Sequence, residues 1–179
     1  MRKLNVFLVI GIFATFLIHA ITGGLKLAGA DLDTPKAVSW ICVGFIIMHV
    51  IVTVILTFQT LEARRKSSAG YFKDNILFWV RRISGFAVLI PLVMHIAIFR
   101  SSNADAYRLQ VFTTGRMISQ ILLVATLALH ILTNIRPLMI SLGIRDTKSF
   151  AADFLLILSI LLLLFAAAFA IYYLRWAAY

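Results

Sequence analysis

Four histidines, His19, His49, His95 and His130, each fall inside a long apolar run. None sits in a polar connection. Imidazole can ligate a metal ion, pass a proton or hydrogen-bond a neighbour. At membrane depth an ionisable side chain is costly, so it faces a bundle interior or a cavity and finds a partner there. A single such histidine is usually a packing residue with its hydrogen bonds satisfied. Four of them, one in each of four successive runs, point to a shared purpose.

The runs that carry them are membrane spans. The chain has 179 residues, 62% of them hydrophobic. Its mean hydropathy is +0.99. A soluble core of this size could not hide so much apolar surface, whereas lipid can. A spanning helix needs about 20 apolar residues. The pattern predicts five, over about 4–22, 37–60, 76–99, 116–140 and 150–174. The first is expected to stop at Gly23-Gly24, and the fourth to kink or stop at Pro137. Met1-Arg2-Lys3 ahead of an apolar run resembles a signal peptide, but the run is longer than a signal core and reads as the first span. The expected fold is therefore an all-α membrane protein forming one domain over 1–179. Its first four helices form an up-down bundle, with the fifth packed alongside.

The net charge of +10 fits a membrane topology better than a nucleic-acid partner. Of the 17 lysines and arginines, eleven fall at the N-terminus, the second-to-third connection with the start of the third span, and the fourth-to-fifth connection. They are Arg2, Lys3, Arg64, Arg65, Lys66, Lys73, Arg81, Arg82, Arg136, Arg145 and Lys148. Six lie on the other side: Lys26, Lys36, Arg100, Arg108, Arg116 and Arg175. This excess places the N-terminus inside and the C-terminus outside. Trp40, Trp79 and Trp176 fall near span ends, where aromatic belts form. The single cysteine, Cys42, can form no internal disulfide. There is no Cys-x-x-Cys-His, which excludes covalent c-type haem.

With this topology the histidines sort by depth. At ~1.5 Å per residue, His19 sits ~22 Å and His95 ~28 Å above the inner starts of their helices, while His49 and His130 sit ~15 Å above the inner ends of theirs. In an up-down bundle the first helix faces the third and the second faces the fourth. His19 and His95 thus form an outer diagonal pair, and His49 and His130 an inner one. Two imidazoles facing across a core gap is the geometry of bis-histidine haem ligation, and bundle cores are common cofactor sites. Two haem b groups are expected, the outer on His19 and His95 and the inner on His49 and His130.

Haem needs room. Gly11 and Gly85 stand at the inner level on the non-ligating helices, and Gly44 and Ala125 at the outer level; small residues are also ordinary packing devices between membrane helices. Pro91, four residues before His95, could aim that ligand. Haem propionates need cationic or hydrogen-bonding partners. Arg81, Arg82, Ser84 and Arg136 are the candidates at the inner haem, with Arg116 and then Arg108 at the outer.

The whole pattern resembles the single-chain, five-helix, dihaem cytochrome b subunit of succinate:quinone oxidoreductases, a family that includes quinol:fumarate reductases. The resemblance covers nearly the whole chain. It rests on five spans, one histidine on each of the first four, and Trp79-Val80-Arg81-Arg82-Ile83-Ser84-Gly85 ahead of His95. That segment is similar to the family's Arg-x-Ser/Thr-Gly stretch before a ligand, and adds Trp79 to the cofactor-binding candidates. The resemblance implies a membrane anchor for an iron–sulfur subunit and an FAD-bearing flavoprotein docked on the cytoplasmic side of a prokaryotic inner membrane. It implies electron transfer between those centres and a membrane quinone, with menaquinone favoured. The chain itself would not act on succinate or fumarate. The resemblance also makes Asp33 and Asp31 the candidates to accept quinol protons. One departure stands out. Some relatives carry a glutamate just before the histidine of the fourth helix, where this chain has Ala128 and Leu129; its only glutamate is Glu62.

Other readings remain open at this point. A dihaem anchor of a hydrogenase, formate dehydrogenase or nitrate reductase tends to place two ligands on one helix, unlike this chain. A transporter with a histidine relay would need polar lining and broken, repeated helices. A structural membrane protein would need no cofactor.

Overall fold

The computed structural model describes residues 1–30, 36–65, 76–100, 112–144 and 147–177. Asp31, Asp33, Pro35, Lys66, Lys73, Arg108, Arg145 and Asp146 lie outside the described residues, as do the side chains of Arg64, Lys148 and Trp176. The chain is all-α, with five helices long and apolar enough to cross a membrane. They are α1 (Arg2–Ala28), α2 (Lys36–Arg65), α3 (Ile76–Phe99), α4 (Thr114–Ser141) and α5 (Thr147–Ala177). Large apolar side chains point outward all round: Phe7 is 63% exposed, Ile83 64%, Ile90 69% and Leu163 71%. A surface of that kind is at rest only against lipid.

Four of the five helices run longer than the apolar pattern predicts, while α3 keeps the expected bounds of 76–99. Inside lipid an unsatisfied backbone group costs several kcal/mol, so a helix continues until its ends reach polar surroundings. α1 passes straight through Gly23 and Gly24 and stops at Gly29. Gly29 has φ 107°, and its amide donates to Lys26 O at 3.0 Å while Ala30 donates to Leu25 O at 2.9 Å. This left-handed cap is what a glycine permits at low cost. Gly24 instead serves packing, since a Cβ there would lie 3.7 Å from Phe165 and 3.9 Å from Ala168 of α5. α4 likewise runs through Pro137 to Ser141 and caps at Leu142, with Gly143 at φ 80°. α3 runs through Pro91, which is buried.

Hydroxyls along the spans turn back onto their own helix. Thr15 donates to Gly11 O at 2.7 Å, Thr22 to Ile18 O at 2.7 Å and Thr133 to Leu129 O at 2.9 Å. These threonines are satisfied locally and carry no cofactor argument.

Four helix pairs pack along their length: α1 with α2, α3 with α4, α4 with α5, and α1 with α5. The molecule is two antiparallel hairpins held together by α5. Between the hairpins the contact is made by side chains. α5 is wedged between α1 and α4, and the space between the hairpins is left for side chains. Arg82 of α3 crosses that space to donate from Nε to Thr57 Oγ1 of α2 at 3.1 Å.

Candidate functional site

His19 of α1 and His95 of α3 meet across the gap between the hairpins. Their ring centroids are 5.9 Å apart and the ring planes cross at 88°. Imidazole–metal bonds run about 2.0–2.1 Å, so two rings joined through one metal ion have centroids roughly 6 Å apart. The spacing therefore fits a single ion between the two imidazoles. Among the described residues, no three His, Cys, Asp or Glu side chains converge where they could hold a metal ion.

The Nδ1 atom of each ring in this pair is tied to another helix. His95 Nδ1 lies 2.7 Å from Gln120 Oε1 of α4. The direction of that bond follows from what lies behind it. Ser119 Oγ donates to Arg116 O at 2.7 Å, and Gln120 Nε2 donates to Ser119 Oγ at 3.0 Å. Gln120 therefore presents its carbonyl oxygen to His95, and the imidazole donates from Nδ1. A neutral imidazole with its proton on Nδ1 keeps its lone pair on Nε2, ready for a metal. Gln120 is fully buried, which makes a stray orientation costly. His19 Nδ1 lies 2.9 Å from Ser39 Oγ of α2.

An aromatic cap closes the site on this level. His95 lies 5.0 Å from the Phe99 ring and 6.3 Å from Phe169 of α5. Phe112 and Tyr172 meet edge-to-face beside them, with ring centroids 5.0 Å apart. Ile98, Phe112, Phe169 and Tyr172 form one buried cluster.

At the other level, His130 of α4 lies against α3. A Cβ on Gly85 would come within 3.2 Å of His130 Cε1. The missing side chain at Gly85 thus makes room for the imidazole itself, where the sequence suggested room for haem. Ser84 Oγ sits 3.1 Å from His130 Nδ1 and donates to Arg81 O at 3.1 Å. The amide nitrogen of Asn134 stands 3.4 Å from the same ring nitrogen. The neighbouring Asn134 amide donates to His130 O at 2.8 Å and Thr133 Oγ1 at 3.2 Å. His49 of α2 lies within electrostatic range of His130, without the ring contact seen in the first pair. Its buried Nδ1 has no hydrogen-bond partner among the described residues.

The remaining candidates divide. Arg81 donates from Nε to Thr133 O of α4 at 2.9 Å, and Arg82 lies over the Phe78 ring at 4.2 Å. Both sit at the His49–His130 end with their terminal N–H groups left over from these bonds. Trp79 is half-buried beside Phe78, with ring centroids 5.5 Å apart. Arg136 is exposed. Arg116 is half-buried at the start of α4. The space at Gly11 is taken by the Phe45 ring, 3.0 Å from where a Cβ would stand. Gly44 faces open space, and Ala125 is exposed. The sequence analysis singled out the histidines but not Ser39, Ser119, Gln120 or Phe169. Gln120 carried a signal, as an uncharged polar residue within an apolar span. The others look like ordinary span residues until their partners are known.

Comparison of the chain with protein-family models, with curated proteins and with solved structures finds no match.

Proposed function

We propose that this protein is a dihaem cytochrome b membrane anchor of the succinate dehydrogenase/fumarate reductase type. It would carry electrons between an iron–sulfur subunit and a membrane quinone, menaquinone being favoured. The observation that carries this reading is the His19–His95 pair: two imidazoles from diagonal helices, 5.9 Å apart, in the gap between two hairpins. The hydrogen bond that commits His95 Nδ1 to donation supports it further.

Bound haem b supplies one-electron chemistry at a potential set by its ligands and their hydrogen bonds. The chain's own residues do the rest. His19 and His95 hold one iron, and His49 and His130 the other. Gln120 keeps the Nε2 lone pair of His95 available, and Ser84 holds the His130 ring in place from Nδ1. Arg81 and Arg82 offer terminal N–H groups to propionates at the second level. Phe99, Phe169 and Tyr172 exclude water at the first. The N-terminus faces the cytoplasm on the distribution of basic residues, so the second pair is the one nearer the docked iron–sulfur and flavoprotein subunits.

The test is a reduced-minus-oxidised absorption spectrum with haem stoichiometry on the purified complex. Two haems b per chain are expected, co-purifying with a flavin-bearing and an iron–sulfur subunit. An intact complex with no haem signal overturns the reading.

A further inference from the structure

The rings differ in what faces Nδ1. His19 has the Ser39 hydroxyl at 2.9 Å and His130 the Ser84 hydroxyl at 3.1 Å. A hydroxyl turns about its C–O bond and can donate or accept. His95 instead has the Gln120 carbonyl oxygen, at 2.7 Å. That oxygen only accepts.

The residues behind Gln120 fix its orientation. Its amide donates to Ser119 Oγ at 3.0 Å, and the Ser119 proton goes to Arg116 O at 2.7 Å. Turning the carboxamide over would set Oε1 against an oxygen whose proton is already given, leaving a buried acceptor unsatisfied. Gln120 is 0% and Ser119 4% exposed, so neither solvent nor lipid headgroups compete for them. Among the described residues the buried polar side chains are Ser84, Ser119 and Gln120. All three belong to contacts that end on an imidazole.

The position of the His95 ring does not hang on Gln120 alone. The rings of Phe99 at 5.0 Å, Phe169 at 6.3 Å and His19 at 5.9 Å flank it. What Gln120 adds is electrostatic. An acceptor drawing on the Nδ1 proton raises the basicity of the ring's other nitrogen, and low-dielectric surroundings strengthen that pull.

We infer that Gln120, held by Ser119, is a positioning residue that makes His95 the stronger electron donor and so favours the oxidised state at the His19–His95 level. This rests on the dihaem reading above and adds what sets the balance between the two redox states. At the other level a hydroxyl faces His130 Nδ1, and His49 Nδ1 has no hydrogen-bond partner among the described residues. The effect therefore belongs to one haem.

The experiment is a spectroscopic redox titration of the purified complex in the wild type, Gln120→Met and Gln120→Glu. Methionine is similarly long and unbranched, but its sulfur is a weak acceptor. Gln120→Met is expected to keep both haems and to raise the midpoint potential of the one that His95→Ala removes. Partners of this kind are worth about 10-fold or more in metal affinity. A 10-fold change in the reduction equilibrium is about 59 mV for one electron. The other haem is expected to stay unmoved. Gln120→Glu keeps an acceptor oxygen and is expected to hold that potential at or below the wild-type value. An unchanged or lowered potential in Gln120→Met overturns the inference. So do equal shifts at both haems, or a rise in Gln120→Glu equal to that in Gln120→Met. Should Gln120→Met fail to fold or to keep both haems, Ser119→Ala takes its place. A rise at the same haem then supports the inference, and no change overturns it. A wild-type complex without two haems refutes the dihaem reading, a separate failure. The hold on His95 is then read in the full chain itself, by nitrogen-15 magnetic resonance of the imidazole. A proton on Nδ1 in the wild type that moves to Nε2 in Gln120→Met supports it. A proton on Nε2 in the wild type, or the same tautomer in both, overturns it.

Discussion

At the scale of single residues, the structure assigns different work to side chains that look alike in the sequence. Four half-buried histidines differ in what holds their second nitrogen. Gln120 holds His95 from a fully buried position, at the head of a donor chain that ends on a backbone carbonyl. Ser84 holds His130 at 3.1 Å, while His49 Nδ1 has no hydrogen-bond partner among the described residues. If the pairing is right, His19→Ala and His95→Ala each remove the same haem, and His49→Ala and His130→Ala each remove the other. Redox difference spectra of the four variants check this, and loss of one haem by the combination His19 with His49 would refute it. The 88° angle between the His19 and His95 rings carries a second prediction. On the proposed dihaem reading, an iron held by rings at this angle would have nearly degenerate d-orbitals and give a highly anisotropic low-spin electron paramagnetic resonance signal. A rhombic spectrum from both centres, of the kind parallel rings produce, would count against the geometry.

At the scale of elements, two glycines decide where helices end and how close they come. Gly85 lets the His130 ring lie on α3, so Gly85→Val should displace that ring. The expected outcome is loss of the His49–His130 haem with the His19–His95 haem kept. Haem stoichiometry in the variant reads this directly. Gly29 ends α1 in a left-handed conformation, and a Cβ there would also strike the Arg175 guanidinium of α5. Arg175 Nη1 donates to Leu27 O at 3.4 Å, tying the end of α5 to the end of α1. Gly29→Ala should cost ~1–2 kcal/mol from the backbone alone, measured as a lower midpoint of thermal unfolding in detergent.

At the scale of the molecule, α5 has no histidine but is the helix that joins the two hairpins. It contacts α1 through Phe165 against Phe16 at 6.1 Å and reaches His95 through Phe169 at 6.3 Å. Phe→Ala changes in packed cores cost ~3–5 kcal/mol, so Phe169→Ala should loosen the aromatic cap and destabilise the protein by an amount of that order. Selective loss of the His19–His95 haem on mild heating would accompany it. Topology has its own test. In a Cys42→Ser background, single cysteines placed at Lys3 and at Ala178 should be labelled from opposite sides of the membrane. The Lys3 position should react only from the cytoplasmic face, and labelling of both from one side would refute an odd number of crossings.

The amino-acid pattern by itself determined that the chain is helical and crosses lipid five times, because apolar length is a local property and each span satisfies its own backbone. The spacing of His19, His49, His95 and His130 determined two depths, because rise per residue is fixed within a helix. Helix ends were less legible: Gly23 and Gly24 looked like a stop, yet lipid holds the helix until Gly29. Packing between helices was not legible at all. That Gly85 accommodates an imidazole, that Phe45 fills the space at Gly11, that α5 wedges between α1 and α4, and that Gln120 faces His95 all depend on which helix lies beside which and at what rotation. Those choices come from side chains many residues apart in the chain. That Ser39, Ser84 and Gln120 hold the Nδ1 atoms of His19, His130 and His95 was decided only by the tertiary structure.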